Sequence, residues 1–203
     1  MTRDDFPALA VWLRAPHVEA WFPWLHGEAA PIEGVEAEYG PCIDGVDPTE
    51  LLVIENEGEP VGFIQRYRIS DNPSWAAALS AAGQSSTAAG QSSTAAGESG
   101  AAIGGTSAAA GFDYAIGVLD ATGRGVGTQA IRQLVADTFS RYPDVDSVIV
   151  AMQQANRPSW RSLERVGFER RWAGLLDSPD PSDAGPSYIY VISRAAASGE
   201  SAR

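Results

Sequence analysis

The sequence predicts an α/β fold in which strands, the first two of them an antiparallel hairpin, are interleaved with helices. Three observations carry this. Two apolar strand candidates, Leu51–Ile54 and Val61–Gln65, are joined by a turn-forming connection. A strand, Phe112–Leu119, runs through a glycine turn, Gly123–Gly127, into a helix ending near Arg141. The pattern then continues as strand, helix, strand, strand to the end of the chain.

In order along the chain, 5–14 read as an amphipathic helix with Phe6, Leu9, Val11, Trp12 and Leu13 mostly toward one side. Pro16-His17 should end it. A second helical stretch passes through Trp21, Phe22 and Trp24, and 32–39 form a further short helix before the loop at Pro41–Pro48. The connection Glu55-Asn-Glu-Gly-Glu-Pro60 supplies the turn residues an antiparallel hairpin needs.

Residues 76–110 differ in kind: 30 of the 35 are Ala, Gly, Ser or Thr, and Ala-Ala-Gly-Gln-Ser-Ser-Thr at 81–87 repeats at 88–94. With so few large side chains this stretch is expected to gain too little burial to offset its ordering entropy. It reads as a flexible insert interrupting one domain at 1–194, and 195–203 read as a frayed tail. Beyond it, Ile131, Leu134, Val135 and Phe139 mark one face of the helix that follows the glycine turn. Pro143 breaks that helix and Ser147–Met152 is a buried strand. The helix from Pro158 to Arg165 stops at Gly167, and Phe168–Trp172 and Tyr188–Ser193 are the last strands.

Composition narrows the function. The net charge is −12, and all 14 basic residues are arginine. Such a chain lacks the basic surface that phosphate-backbone binding needs, so no nucleic-acid partner is expected. Residues 1–60 hold 13 Asp and Glu against Arg3 and Arg14, so a partner meeting this region meets negative charge. The single Cys42 excludes an intrachain disulfide and any cysteine-rich zinc site. It has no basic neighbour to activate it, and no His/Asp/Glu group has metal-ligand spacing. With no signal layout and no run long enough to span a membrane, a cytoplasmic location is expected.

The glycine turn is the clearest chemical signal. Glycines let backbone N–H groups converge, and the following helix start adds partial positive charge, so a phosphate or pyrophosphate is the natural occupant. Gly125-Val-Gly127-Thr-Gln-Ala130 also fits the dinucleotide pattern G-x-G-x-x-A. That reading wants an acid at the end of the next strand, whereas Asp144 and Asp146 precede the strand and Met152-Gln-Gln follows it.

The ordered set Trp12-Leu13, His17-Val-Glu-Ala-Trp21, Gly58-Glu-Pro-Val-Gly62, Gly111-Phe-Asp-Tyr-Ala-Ile-Gly117, Gly125-x-Gly127, Ala155-Asn156 and Val166-Gly-Phe-Glu169 resembles the GNAT superfamily of acetyl-CoA-dependent N-acetyltransferases. More narrowly, it resembles the aminoglycoside 6′-N-acetyltransferase branch and its siderophore-lysine acyltransferase relatives. The resemblance implies a mixed, mostly antiparallel sheet flanked by helices and splayed at the CoA site, with acetyl-CoA as co-substrate. It implies that Gly123, Arg124, Gly125, Val126, Gly127 and Thr128 bind the pyrophosphate. The strand at Ile116 and Val118 would pair with the pantetheine arm, and Asn156 would meet the same arm.

In that branch the acid of the Gly-x-Asp motif, here Asp113, sits in the amine pocket. It is the expected catalytic carboxylate, binding the ammonium and accepting its proton. Backbone N–H groups near Val118 would polarise the thioester carbonyl, and Trp21 would line the acceptor site. His17, His26 and Asp120 read as structural. Asp177, Asp180 and Asp183 read as solvated residues of a Pro/Ser-rich loop, with negative charge at a substrate mouth the alternative.

Three positions depart from the pattern: Thr122 replaces the Gln or Arg of the turn, Leu163 the frequent tyrosine, and Ala151-Met152 the acid that ends the strand. The expected activity is acetyl transfer to a small cationic amine, with an aminoglycoside, and hence antibiotic resistance, the leading case. Acylation of a protein, peptide or siderophore amine is the alternative, and the three departures also leave open a non-catalytic CoA-binding module.

Overall fold

Glu57 and Gly58, both with positive φ (56° and 84°), make the tight turn whose twist suits a two-residue hairpin. They join β1 (Glu50–Asn56) to β2 (Glu59–Arg68), which pair antiparallel. The computed structural model describes residues 1–23, 31–89, 103, 105–178, 180, 183 and 185–199. Next to β2 runs β3 (Ala109–Ile116), antiparallel from Gly62↔Ile116 to Arg68↔Ala110. β4 (Ser147–Gln153) is parallel to β3 and pairs with it only at Ala109↔Ser147 and Ala110↔Val148. β6 (Pro186–Ser193) and β5 (Glu169–Leu175) complete a six-stranded sheet of order β1-β2-β3-β4-β6-β5. The mixed, mostly antiparallel sheet flanked by helices is thus the architecture found.

Side chains alternate across β3 and so sort the helices into two layers. Ala110 and Phe112 join a core with Ile131, Leu134, Val135 and Phe139 of α5 (Val126–Arg141) and Leu163 of α6 (Arg157–Val166). Ala115 faces the other way, into a core with Phe6, Leu9, Trp12 and Leu13 of α1 (Phe6–Leu13), Val18 of α2 (Pro16–Glu19) and Val35 and Tyr39 of α3 (Ile32–Ile43). Trp24 and His26 lie outside the described residues.

The expected flexible insert is corrected over part of its length. Pro73–Ala89 form α4, and Leu79, Ala82 and Ile103 are buried with Ala109 of β3, Ile149 of β4 and Ile189 of β6. Alanine has the highest helix propensity, and its small side chain lets a helix lie close to the sheet, so the single Leu79 with Ala82 suffices as anchor. The repeats beyond Ala89, and most residues to 104, lie outside the described residues. The expected fraying of 195–203 is corrected at its start: Arg194–Ala197 form α7, capped by the Ser193 hydroxyl, while 200–203 lie outside the described residues. The Arg194 guanidinium donates to the carbonyls of Phe139, Tyr142 and Val145 at 2.6 Å each, satisfying the C-terminal end of α5.

One buried cation ties three elements. Arg66, 2% exposed on β2, donates to Asp137 (2.7 Å) and Thr138 (3.1 Å) of α5 and to Glu50 of β1, while Tyr142 also donates to Glu50. Burial alone would raise the Glu50 carboxyl, but Tyr142 and Arg66 outweigh it and hold the group below its usual range.

Arg66→Ala is expected to lower the unfolding free energy by about 2–4 kcal/mol in urea melts, because the half-buried Glu50 would lose its buried cation and keep only the more distant, exposed Arg141 at 3.4 Å. Gly117→Ala tests the seat of α1: a Cβ there would overlap the buried Trp12 ring. A loss of about 1–3 kcal/mol is expected from that overpacking, against almost no loss for an alanine at exposed Ser80.

Candidate active site

A cleft of about 570 Å³ opens where β3 and β4 part after their two shared pairs. Its walls are Phe112–Ile116 of β3 and Val150–Gln153 of β4, with α2, the glycine turn and α6 around them. Gly117 N–H donates to the Val61 carbonyl at 2.8 Å. The alternation of an antiparallel ladder then turns the main-chain N–H and C=O of Tyr114 and Ile116 away from β2, toward the opening. β4 is out of reach there, so β3 presents a hydrogen-bonding edge to whatever enters. His17 Nε2 lies 2.9 Å from the Ile116 carbonyl and marks one end of that edge.

The glycine turn stands on the α5/α6 side. Gly123 and Gly125 have φ of 70° and 88°, and open space surrounds the position of a Cβ on either. Gly125 is the N-cap of the 16-residue α5, and no side chain caps it. The first-turn N–H groups therefore remain available to an anion, and the helix dipole favours one. A Cβ on Gly127 would come within 3.1 Å of the Tyr114 ring, so close packing of turn against strand also favours glycine there. Asn156 caps α6, its side-chain oxygen accepting from Ser159 N–H at 3.4 Å.

On the opposite sheet face Asp113 lies half-buried beside Gln65 of β2, whose amide donates to it at 2.9 Å. Burial pushes the Asp113 carboxyl up to about 6, opposed by the Gln65 and Tyr67 hydrogen bonds and reinforced by the charges of Asp180 and Asp183. Asp183 also lines the cleft and is raised by burial, with Ser178 opposing and Asp180 adding to the rise. Trp21 and Phe22 complete this side, Phe22 stacking edge-on against Phe63 with centroids 5.7 Å apart.

Of the residues expected at the site, the cleft brings together Trp21, Asp113, Ile116, Gly123, Gly125, Gly127, Thr128 and Asn156. Val118, Arg124 and Val126 do not line it. The role expected of the Val118 N–H is corrected: it donates to the Val61 carbonyl at 3.0 Å, as Gly117 N–H does, so neither is free to polarise a carbonyl. Of the departures, Leu163 is fully buried in the core, whereas Thr122, Ala151 and Met152 line the cleft. The Thr122 hydroxyl donates to the Leu119 carbonyl at 2.7 Å.

Tyr114, Ser159, Ser162 and the arginines of α6 also line the cleft and were not singled out by the sequence. The Tyr114 hydroxyl meets those of Ser159 and Ser162, and burial raises its pKa. The three-residue step from Ser159 to Ser162 was a signal for one helix face; what that face looks onto was not. Cys42, pushed up to about 11 chiefly by burial, is no nucleophile. Among the described residues no group of three or more His, Cys, Asp or Glu could hold a metal ion, and no helix is long and apolar enough to cross a membrane.

The sequence matches the model of the acetyltransferase (GNAT) domain over residues 2–173. No curated protein matches it. Among solved structures, the aminoglycoside acetyltransferase AAC(6′)-Ib in complex with coenzyme A is 22% identical, with a TM-score of 0.71 over 100% of this chain and 96% of that one. The same enzyme with paromomycin and acetyl-CoA is 23% identical, with a TM-score of 0.72 over 100% and 94%. A spermidine N-acetyltransferase chimera from Vibrio cholerae is 12% identical, with a TM-score of 0.61 over 95% and 93%. These likenesses are of fold, and the family match spans the glycine turn, Asp113 and Asn156 alike. The chain belongs to the GNAT acetyltransferase family and is an N-acetyltransferase that uses acetyl-CoA.

Proposed function

We propose that the protein acetylates a primary amine of a small polycation, of which an aminoglycoside bearing a 6′-amine is the leading candidate. The observation that carries this is Asp113: a half-buried carboxyl, raised to about 6, at the wall of the cleft that the parting of β3 and β4 opens. Near neutral pH it is ionised, so it attracts an ammonium, and its raised pKa makes it a better proton acceptor than an ordinary aspartate. Gln65 and Tyr67 hold its orientation. Asp183 adds a second carboxylate, and Trp21 and Phe22 offer aromatic faces beside them, a combination suited to a cationic ring system. The acidic N-terminal third, with 13 carboxylates in 60 residues, raises the local concentration of such a cation. Ala151 and Met152 offer no carboxylate at the end of β4. The cation would therefore be held from the β3 side and the loop bearing Asp183.

Bound acetyl-CoA supplies the activated acyl group. The N–H groups of the turn from Gly123 to Thr128, at the uncapped start of α5, would hold its pyrophosphate. The main-chain edge at Tyr114 and Ile116 would hold its extended arm as an added strand holds a sheet. The N–H groups there take over the role that Gly117 and Val118 cannot fill. Asn156 and the Tyr114 hydroxyl border the same path. Holding both reactants across one gap in the sheet supplies much of the rate by positioning.

Release of CoA thiol, measured with a panel of aminoglycosides, polyamines and lysine peptides, tests the reading. Turnover is expected on one of the first two classes and a loss of about 10²–10⁴-fold in kcat/KM for Asp113→Asn; turnover on peptides alone would overturn the acceptor assignment. The sign of the pH dependence follows from the raised carboxyl. Protonated below about 6, Asp113 can neither attract the ammonium nor take its proton, so kcat/KM should climb through pH 6 and level above it. In Asp113→Asn that limb should vanish.

A further inference from the structure

Arg157, Arg161 and Arg165 recur every fourth residue along α6, a spacing that sets them in one row, and all three line the cleft. Like charges four apart on a helix repel, so the row costs stability unless something neutralises it. The carboxylate next to them in sequence does not: Glu164 accepts the Tyr190 hydroxyl at 2.8 Å and is drawn toward β6. Among the described residues no ion pair involves any of the three, and Arg161 has only the Trp160 ring, 5.5 Å from its guanidinium carbon. In a chain of net charge −12 whose other cleft carboxylates, Asp113 and Asp183, belong to β3 and the loop before β6, this is a wall of uncompensated positive charge. Its side chains are exposed, so it faces the solvent side of the cleft.

We propose that this row binds the 3′-phosphate on the ribose of CoA and makes the enzyme select acetyl-CoA over a donor lacking that phosphate. The proposal rests on acetyl-CoA lying in this cleft with its pyrophosphate at the glycine turn. The turn satisfies the pyrophosphate with backbone N–H groups, and the thioester has to reach the β3 edge. The anion left over is the 3′-phosphate, a dianionic group at the solvent end of the molecule. A planar guanidinium matches a phosphate with two parallel N–H donors, which suits Arg161 and Arg165 to it. Arg157, at the first turn of the helix, adds charge from the same row.

Steady-state kinetics with acetyl-CoA and with acetyl-3′-dephospho-CoA test this in the wild type and in the double variant Arg161→Gln/Arg165→Gln. In the wild type KM for acetyl-CoA should be lower by about tenfold or more, with similar kcat for the two donors. In the double variant the ratio of the two KM values should fall toward one, and high salt should shrink it in the wild type. Isothermal titration with CoA and 3′-dephospho-CoA should show the same ratio in Kd. Equal use of the two donors by the wild type overturns the proposal. So does a variant that loses affinity equally for both, since the row would then serve the pyrophosphate. If neither CoA nor 3′-dephospho-CoA binds the wild type, the seating of acetyl-CoA in this cleft falls and takes the proposal with it. That outcome is distinct from tight, equal binding of the two.

Discussion

Everything at the site depends on β3 and β4 sharing only two residue pairs before they part. A parallel pair that continued would spend the main-chain groups of Tyr114 and Ile116 on β4 and close the sheet. Because they separate, β3 keeps a polar edge that no strand pairs, its Ile116 carbonyl meeting only His17 among the described residues, and such an edge is costly unless water or a ligand satisfies it. The sheet tolerates the gap because each half is anchored elsewhere. Arg66 fastens β1 and β2 to the last turns of α5, and Arg194 fastens the end of β6 to the same C-terminal end of that helix. The C-terminal end of α5 thus ties the two halves of the sheet together, while its uncapped start lines the cleft.

The cleft is divided by charge as well as by the sheet. Carboxylates of Asp113 and Asp183 stand on one side, and guanidinium groups of α6 with the start of α5 on the other. A reaction joining an ammonium-bearing acceptor to a polyanionic donor needs such a separation, since each partner is drawn to its own wall and repelled from the other's. The same arrangement raises Asp113. Desolvation and the neighbouring aspartates disfavour its charge, so in the proposed reaction the carboxylate that would attract the cation would also be ready to take its proton.

Much of this was legible in the residues. Glycine at 123, 125 and 127 between a strand and a helix can hardly mean anything but a turn that leaves N–H groups free, and the hairpin that turns at Glu57-Gly58 was written in two apolar runs and the turn residues between them. What escaped the sequence has physical causes. Helix α4 was hidden because its anchoring comes from Leu79, Ala82 and close approach rather than from large side chains. The engagement of Val118 N–H with Val61 depends on ladder phase at the end of β3, which side-chain types do not encode. Asp183 reached the cleft by the path of an irregular loop, for which no periodicity exists. The four-residue spacing of Arg157, Arg161 and Arg165 was visible, but a spacing does not say what the row looks onto.

Backbone amide exchange with and without acetyl-CoA tests the central claim most directly. The account predicts that acetyl-CoA slows exchange at Tyr114 and Ile116 and across Gly123–Thr128, while the amides of Gly117 and Val118, already bonded to Val61, change little. Binding that left Tyr114 and Ile116 exchanging at their free rate would contradict it, because the parted strands would then not be what holds the donor.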